Sequence, residues 1–139
     1  MPEVNVPAVL VAAFASLMFG GLWYSKRLFG PAWGRAAGYS EEVIQGKGKD
    51  GKHGHPGKVF ATAYLASAIG ALALALLLGP RPEWHHAVHG GFLAGAGVAA
   101  TSFGINYAFA GRTFRLWAID AGYHCVQFTI YGVILALWQ

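Results

Sequence analysis

The chain has 139 residues, enough for one domain, with 55% hydrophobic and only 12% charged side chains, about half the charged share of soluble proteins. With a mean hydropathy of +0.44, this excludes an ordinary water-soluble globule and points to one integral membrane domain over 1–139 whose partner is the lipid bilayer. The net charge of +4 comes without any nucleic-acid recognition motif, so a basic face beside anionic lipid is expected and nucleic acid is not.

A membrane-spanning helix needs roughly 20 mostly apolar residues. Four segments supply them, so the expected fold is all-α, a transmembrane bundle of four helices. The first is Asn5–Tyr24. No basic flank precedes it, and "LWYSKRLFG" puts the positive charge after it, so it is expected to be retained rather than cleaved as a signal. Ala12, Ser16 and Gly20 recur on it at four-residue spacing, a face that lets helices approach closely.

A long loop separates the first and second spans. It holds seven of the ten Lys and Arg residues: Lys26, Arg27, Arg35, Lys47, Lys49, Lys52 and Lys58. Its first part contains Trp33 and an amphipathic pattern suited to the membrane surface. Ser40 before Glu41 and Glu42 reads as a helix start. The Gly- and Lys-rich run over 45–58 reads as a flexible tether, with His53 and His55 solvated.

The second span, Val59–Leu78, carries Ala63, Ser67 and Tyr64. The third, Ala87–Ala110, carries Gly91, Gly95 and Ala99, continuing as Ser102 and Asn106 at helical spacing. The fourth, Phe114–Trp138, follows a short hairpin with Arg112 and Arg115. Nine Lys and Arg fall in the first and third connections and one, Arg81, in the second. The positive-inside rule then puts the first and third loops in the cytoplasm and both termini outside. Trp23, Tyr24 and Trp33 on one side, and Trp84 and Trp138 on the other, suit interfacial belts.

The last span is unusual for its polar residues. Asp120, His124, Gln127 and Tyr131 follow one another at intervals of four, three and four, so they share a face. Charged groups at membrane depth are costly and turn toward the bundle interior, with partners. Counting back from the hairpin sets Asn106 near Asp120 and Ser102 near His124, with Tyr64 at similar depth. Asp120 lies about 9 Å from the start of its helix at 1.5 Å per residue. The expected intramembrane cluster is therefore Asp120, His124, Asn106, Ser102, Tyr64, Gln127 and Tyr131. It fixes helix register, or it exchanges protons or holds a ligand.

No nucleophile–base pair, metal set or nucleotide motif accompanies it, so no catalytic residue is assigned. The lone Cys125 gives neither a disulfide nor a zinc site. His85, His86 and His89 lack further ligands for a metal. No cofactor is expected; the alternative is a metal or tetrapyrrole held by His124 or His89.

Two stretches resemble a known family: "GGLWYSKRLFGPAWGRAAG" after the first span, and the hairpin from Asn106 to Trp138, with Gly21–Leu22–Trp23–Tyr24 as the other anchor. Together they resemble the bacterial domain of unknown function 1761 family along nearly the whole chain. The resemblance implies a small membrane protein of about four helices, and hence the bacterial cytoplasmic membrane. It supplies no mechanism. Three roles stay open: an accessory or homo-oligomeric subunit packing through Ser16, Gly20, Gly91 and Gly95; a proton- or solute-linked carrier using Asp120, His124 and Asn106; and a membrane enzyme or pigment-binding subunit.

Overall fold

A computed structural model describes residues 3–49 and 55–138, and every regular element among them is helical. They are α1 (Val6–Trp23), α2 (Gly30–Ala36), α3 (Glu41–Ile44), α4 (Pro56–Leu78), α5 (Trp84–Leu93), α6 (Ala100–Phe109) and α7 (Phe114–Leu137), with a π-helical turn, Ala94–Ala99, fusing α5 to α6. Their starts follow ordinary capping chemistry. The Asn5 side chain accepts from the Ala8 amide at 3.1 Å, Glu83 from that of His86 at 3.0 Å and Thr113 from that of Leu116 at 3.3 Å. The backbone amides of His86 and His85 hold the Glu83 carboxyl below the usual carboxylate range.

Three helical runs are long and apolar enough to cross a membrane: Val6–Trp23, Pro56–Leu78 and the continuous Trp84–Phe109. Large apolar side chains point outward along them, Phe14, Met18, Leu65, Ile69, Leu93, Val98 and Ile105 among them. A water-soluble chain would not leave so much contiguous apolar surface uncovered. α7 matches the others in length at 24 residues, but its polar side chains keep it out of the apolar set.

The reason lies in its position. α1, α4, α5, α6 and the π turn all pack on α7, and from Ile119 to Ala136 none of its residues is exposed. A helix surrounded by protein can carry polar groups that a lipid-facing one cannot. The surrounding helices approach it through small residues. A Cβ on Gly91 would fall on the Phe128 carbonyl, one on Gly132 on that of Ala87, and one on Gly95 would come within 2.7 Å of the Cys125 Cα. Gly20 lets Tyr123 lie against α1, and Ser16 is fully buried.

The start of α1 and the end of α7 meet at one end of the bundle, where the Asn5 side-chain amide donates to the Trp138 carbonyl at 2.9 Å. The connection after α1 folds back at the other end as α2 and α3. Ser40 caps α3, and Arg35 pairs with Glu41 at 2.6 Å. That hydrogen bond lowers the Glu41 pKa and raises that of Arg35. Of the expected tether over 45–58, residues 50–54, including Lys52 and His53, lie outside the described residues. Pro56–Lys58 are not tether but the first turn of α4, which His55 caps by accepting from the Gly57 amide at 3.2 Å. The third long helix begins at Trp84, three residues before the expected Ala87, because Glu83 supplies the cap.

Candidate functional site

The polar face of α7 divides into two hydrogen-bonded groups at different depths. Side chains on a helix lean toward its N-terminus, so Asp120 reaches back toward the end where α2 and α3 fold. Tyr24, just past α1, donates to Asp120 Oδ1 at 2.7 Å. Tyr107 of α6 donates to Oδ2 at 2.8 Å. Asp120 is only 8% exposed, and both of its oxygens are answered.

One helical turn further in, His124 stacks on Phe103 at 4.8 Å between ring centroids, and its Nδ1 lies 2.6 Å from Gln127 Oε1. An amide oxygen only accepts, so Nδ1–H donates. Gln127 in turn donates to Ser67 Oγ at 2.9 Å. Ser67 and Ser16 hydroxyls lie 3.4 Å apart, and Ser16 donates to the Ala13 carbonyl at 2.9 Å. This chain ties α7 to α4 and α1, with Tyr131 buried beside it at 1% exposure. Its donors and acceptors are matched, as a group inside a bilayer requires.

Three residues expected in the cluster are elsewhere. The Tyr64 hydroxyl donates to the Leu10 carbonyl at 3.3 Å. Asn106 and Ser102 face outward. The cause is the π turn, which inserts one residue into the helical repeat. With purely α spacing, Gly91 and Gly95 continue to Ser102 and Asn106. With the insertion they continue to Ala100, Phe103 and Tyr107, and these three meet α7. Ala100 accepts from the Trp117 indole at 2.9 Å. The carbonyls around the irregular turn are answered locally: Thr101 donates to Gly97 O at 2.8 Å and Ser102 to Val98 O at 2.7 Å. In lipid, such carbonyls would otherwise have no partner.

Outside Asp120 the bundle opens into a cleft of about 470 Å³ beneath α2 and α3. Its lining includes Tyr24, Lys26, Trp33, Tyr39, Val43 and Ile44, with the buried Asp120 at the floor. A smaller hollow of about 300 Å³, reaching Asp120 from the side of Tyr107 and Arg112, shares Trp33 and Tyr39. The family model described as "Protein of unknown function (DUF1761)" matches residues 7–136. The chain belongs to the DUF1761 family.

No curated protein and no solved structure matches this DUF1761 chain. The family match therefore places it without assigning chemistry, and the side chains must supply that. Among the described residues, no three His, Cys, Asp or Glu groups converge as a metal site. His89 turns to its own helix, its Nδ1 2.8 Å from the His85 carbonyl. The face of His124 is covered by Phe103.

The partners that sequence reasoning missed are Tyr24, Tyr107, Trp33 and Tyr39. A signal for two of them was present. Tyr24 and Trp33 read as an aromatic belt, and that belt lies at the depth of Asp120. Tyr107 carried no such signal, because the π turn alone brings it round.

Proposed function

We propose that this DUF1761 protein is a four-span protein of the bacterial cytoplasmic membrane and that it binds a small solute at the Asp120 cleft. α7 is the fourth span: 24 residues at the centre of the bundle, its polar groups shielded by the other three. The nine-to-one distribution of Lys and Arg supports an orientation with the cleft on the cytoplasmic side and both chain ends outside. A periplasmic reporter enzyme fused after Trp138 is expected to be active, and the same enzyme inserted after Gln45 inactive. The reverse pattern would overturn the orientation, and equal activity at fusions on the two sides of α7 would overturn the span.

The observation that carries the binding role is Asp120 itself. A carboxylate needed only for helix register gains nothing from standing at the floor of an aromatic-walled cleft of about 470 Å³, a volume typical of small-molecule sites. Register is already set by the inner chain through Gln127 and Ser67. The small-residue faces on which an accessory role would rely are occupied within the chain, Ser16 by α4 and Gly20, Gly91 and Gly95 by α7. The expected outcome is that some members of a panel of small cations, neutral solutes and carboxylates raise the thermal unfolding temperature of the purified protein. Asp120→Asn should abolish the rise while leaving the unliganded melt within a few degrees. A panel with no active member would sink the reading.

A further inference from the structure

Resting on the reading of the Asp120 cleft as a solute site, we propose that its ligand is a primary ammonium joined to an oxyanion by a short apolar spacer. The cleft and the smaller hollow beside it share Asp120, Trp33 and Tyr39, so both open on one carboxylate. Each also carries a cation, Lys26 in the cleft and Arg112 in the hollow. Among the described residues the one ion pair is Arg35–Glu41, so neither cation is paired with Asp120. A lone cation seated on Asp120 would have these like charges as neighbours, and a lone anion seated on either cation would have Asp120. A molecule carrying both signs meets neither penalty.

Hydrogen-bond capacity sets the cationic end. A carboxylate offers about four lone-pair sites, and Tyr24 and Tyr107 fill two of those on Asp120. Two remain, and each phenol oxygen can itself accept. Together these acceptors match the three N–H donors of a primary ammonium.

The order of residues along the hollow sets the rest. Leu116 and Asp120 lie one turn apart on α7, so they share a face, and Arg112 stands just before the Thr113 cap. All three line the hollow of about 300 Å³. It therefore runs from an exposed guanidinium, past the buried apolar Leu116, to a buried carboxylate. A guanidinium meets a carboxylate or phosphate with two parallel hydrogen bonds. Asp120 lies about 9 Å from the start of its helix, so the ligand's two charges need several bonds between them, more than the single carbon of an α-amino acid. Leu116 gives those methylene groups an apolar wall. The Lys26 ammonium lies beside Gly46, beyond the end of α3, which leaves Arg112 to meet the oxyanion. Two sources supply this chemistry: a free ω-amino acid, and the ethanolamine phosphate headgroup of a membrane lipid.

The test is calorimetric titration of the full chain in detergent at low ionic strength. The two-charge probes are 4-aminobutyrate and dihexanoyl phosphatidylethanolamine; butylamine, pentanoate, glycine and the phosphatidylcholine counterpart are the comparisons. At least one two-charge probe is expected to bind about tenfold or more tightly than every comparison, the loss that follows from one missing charge-assisted hydrogen bond. Whichever of the two binds more tightly names the source, free amino acid or headgroup. Arg112→Gln should bring 4-aminobutyrate down to the level of butylamine, and Asp120→Asn should bring it down to that of pentanoate. A merely destabilised bundle would weaken all probes together. Circular dichroism and thermal melts confirm that each variant is folded; Arg112 is exposed in the hairpin, so its variant reports even where Asp120→Asn does not. Equal binding of butylamine, pentanoate or glycine would overturn the spaced two-charge ligand, as would a preference lost in Lys26→Gln but kept in Arg112→Gln. If a single-charge probe binds and Asp120→Asn abolishes it, the solute site stands and only the class falls. If no probe binds, the class falls, and the site falls with it where the panel of thermal melts is silent too.

Discussion

Valine at Gly91 or at Gly132 is expected to keep the bundle from assembling. The two glycines sit on opposite sides of one contact, Gly91 on α5 against the Phe128 carbonyl and Gly132 on α7 against the Ala87 carbonyl. In both cases the atom in the way is backbone held in a helical ladder, so no rotamer change relieves it. Overpacking that neighbours can absorb costs about 1–3 kcal/mol; here the helices themselves must separate, so the loss is about 3 kcal/mol or more. Separation would also draw α7 away from α5 along the contact that Gly95 continues. Gly97→Val is the control, because nothing lies within 4 Å of a Cβ there. Thermal unfolding and monodispersity in detergent check the outcome. A Gly91→Val protein that melts like the parent would show that the close approach of α5 and α7 contributes little.

How far the sequence reaches is clearest on α7. A four-, three-, four-residue spacing was enough to put Asp120, His124, Gln127 and Tyr131 on one face, because helical period is local and α7 is regular throughout. The direction of that face followed from the cost of charge in hydrocarbon, and Asp120, Gln127 and Tyr131 are buried in the bundle. Small residues at four-residue spacing likewise indicated where helices approach, although Gly132, with Ala136 four residues on, was overlooked.

The third long helix shows where the reasoning stops. Its depth relative to α7 was readable from the hairpin, but its rotation was not. "LAGAGVAATS" has no residue that separates a π turn from an α turn, since Gly and Ala fit both. The insertion is favoured by what lies around it: Trp117 reaching Ala100, and Thr101 and Ser102 serving carbonyls of the turn. These are tertiary and paired effects, invisible to any single-helix period. One residue of phase exchanged Asn106 for Tyr107, and with it an amide partner for a phenol. Asp120 and His124, one turn apart on α7, take different partners. The first then belongs to the cleft and the second to a closed internal chain, so one stripe in the sequence became two groups with different exposure to solute.

Removing both phenols should leave Asp120 worse off than removing Asp120 itself. Tyr24→Phe and Tyr107→Phe each delete a hydrogen bond to a carboxylate, worth about 1.5–3 kcal/mol. The aromatic packing of Tyr24 with Trp33 and Tyr123, at 5.7 and 5.4 Å between centroids, survives in phenylalanine. Each single variant is therefore expected to lose about 1–2 kcal/mol and the pair about 3 kcal/mol, because an unpartnered charge at low exposure is what destabilises most. Adding Asp120→Asn to the double variant should restore much of that loss, since a neutral amide needs less solvation than a carboxylate. The sign of this rescue distinguishes an electrostatic role for the phenols from a packing one. Unfolding in detergent, followed through tryptophan fluorescence across the four combinations, measures the coupling directly. A double variant within about 1 kcal/mol of the parent would mean that water in the cleft solvates Asp120 unaided. The two tyrosines would then serve the cleft as ring faces alone.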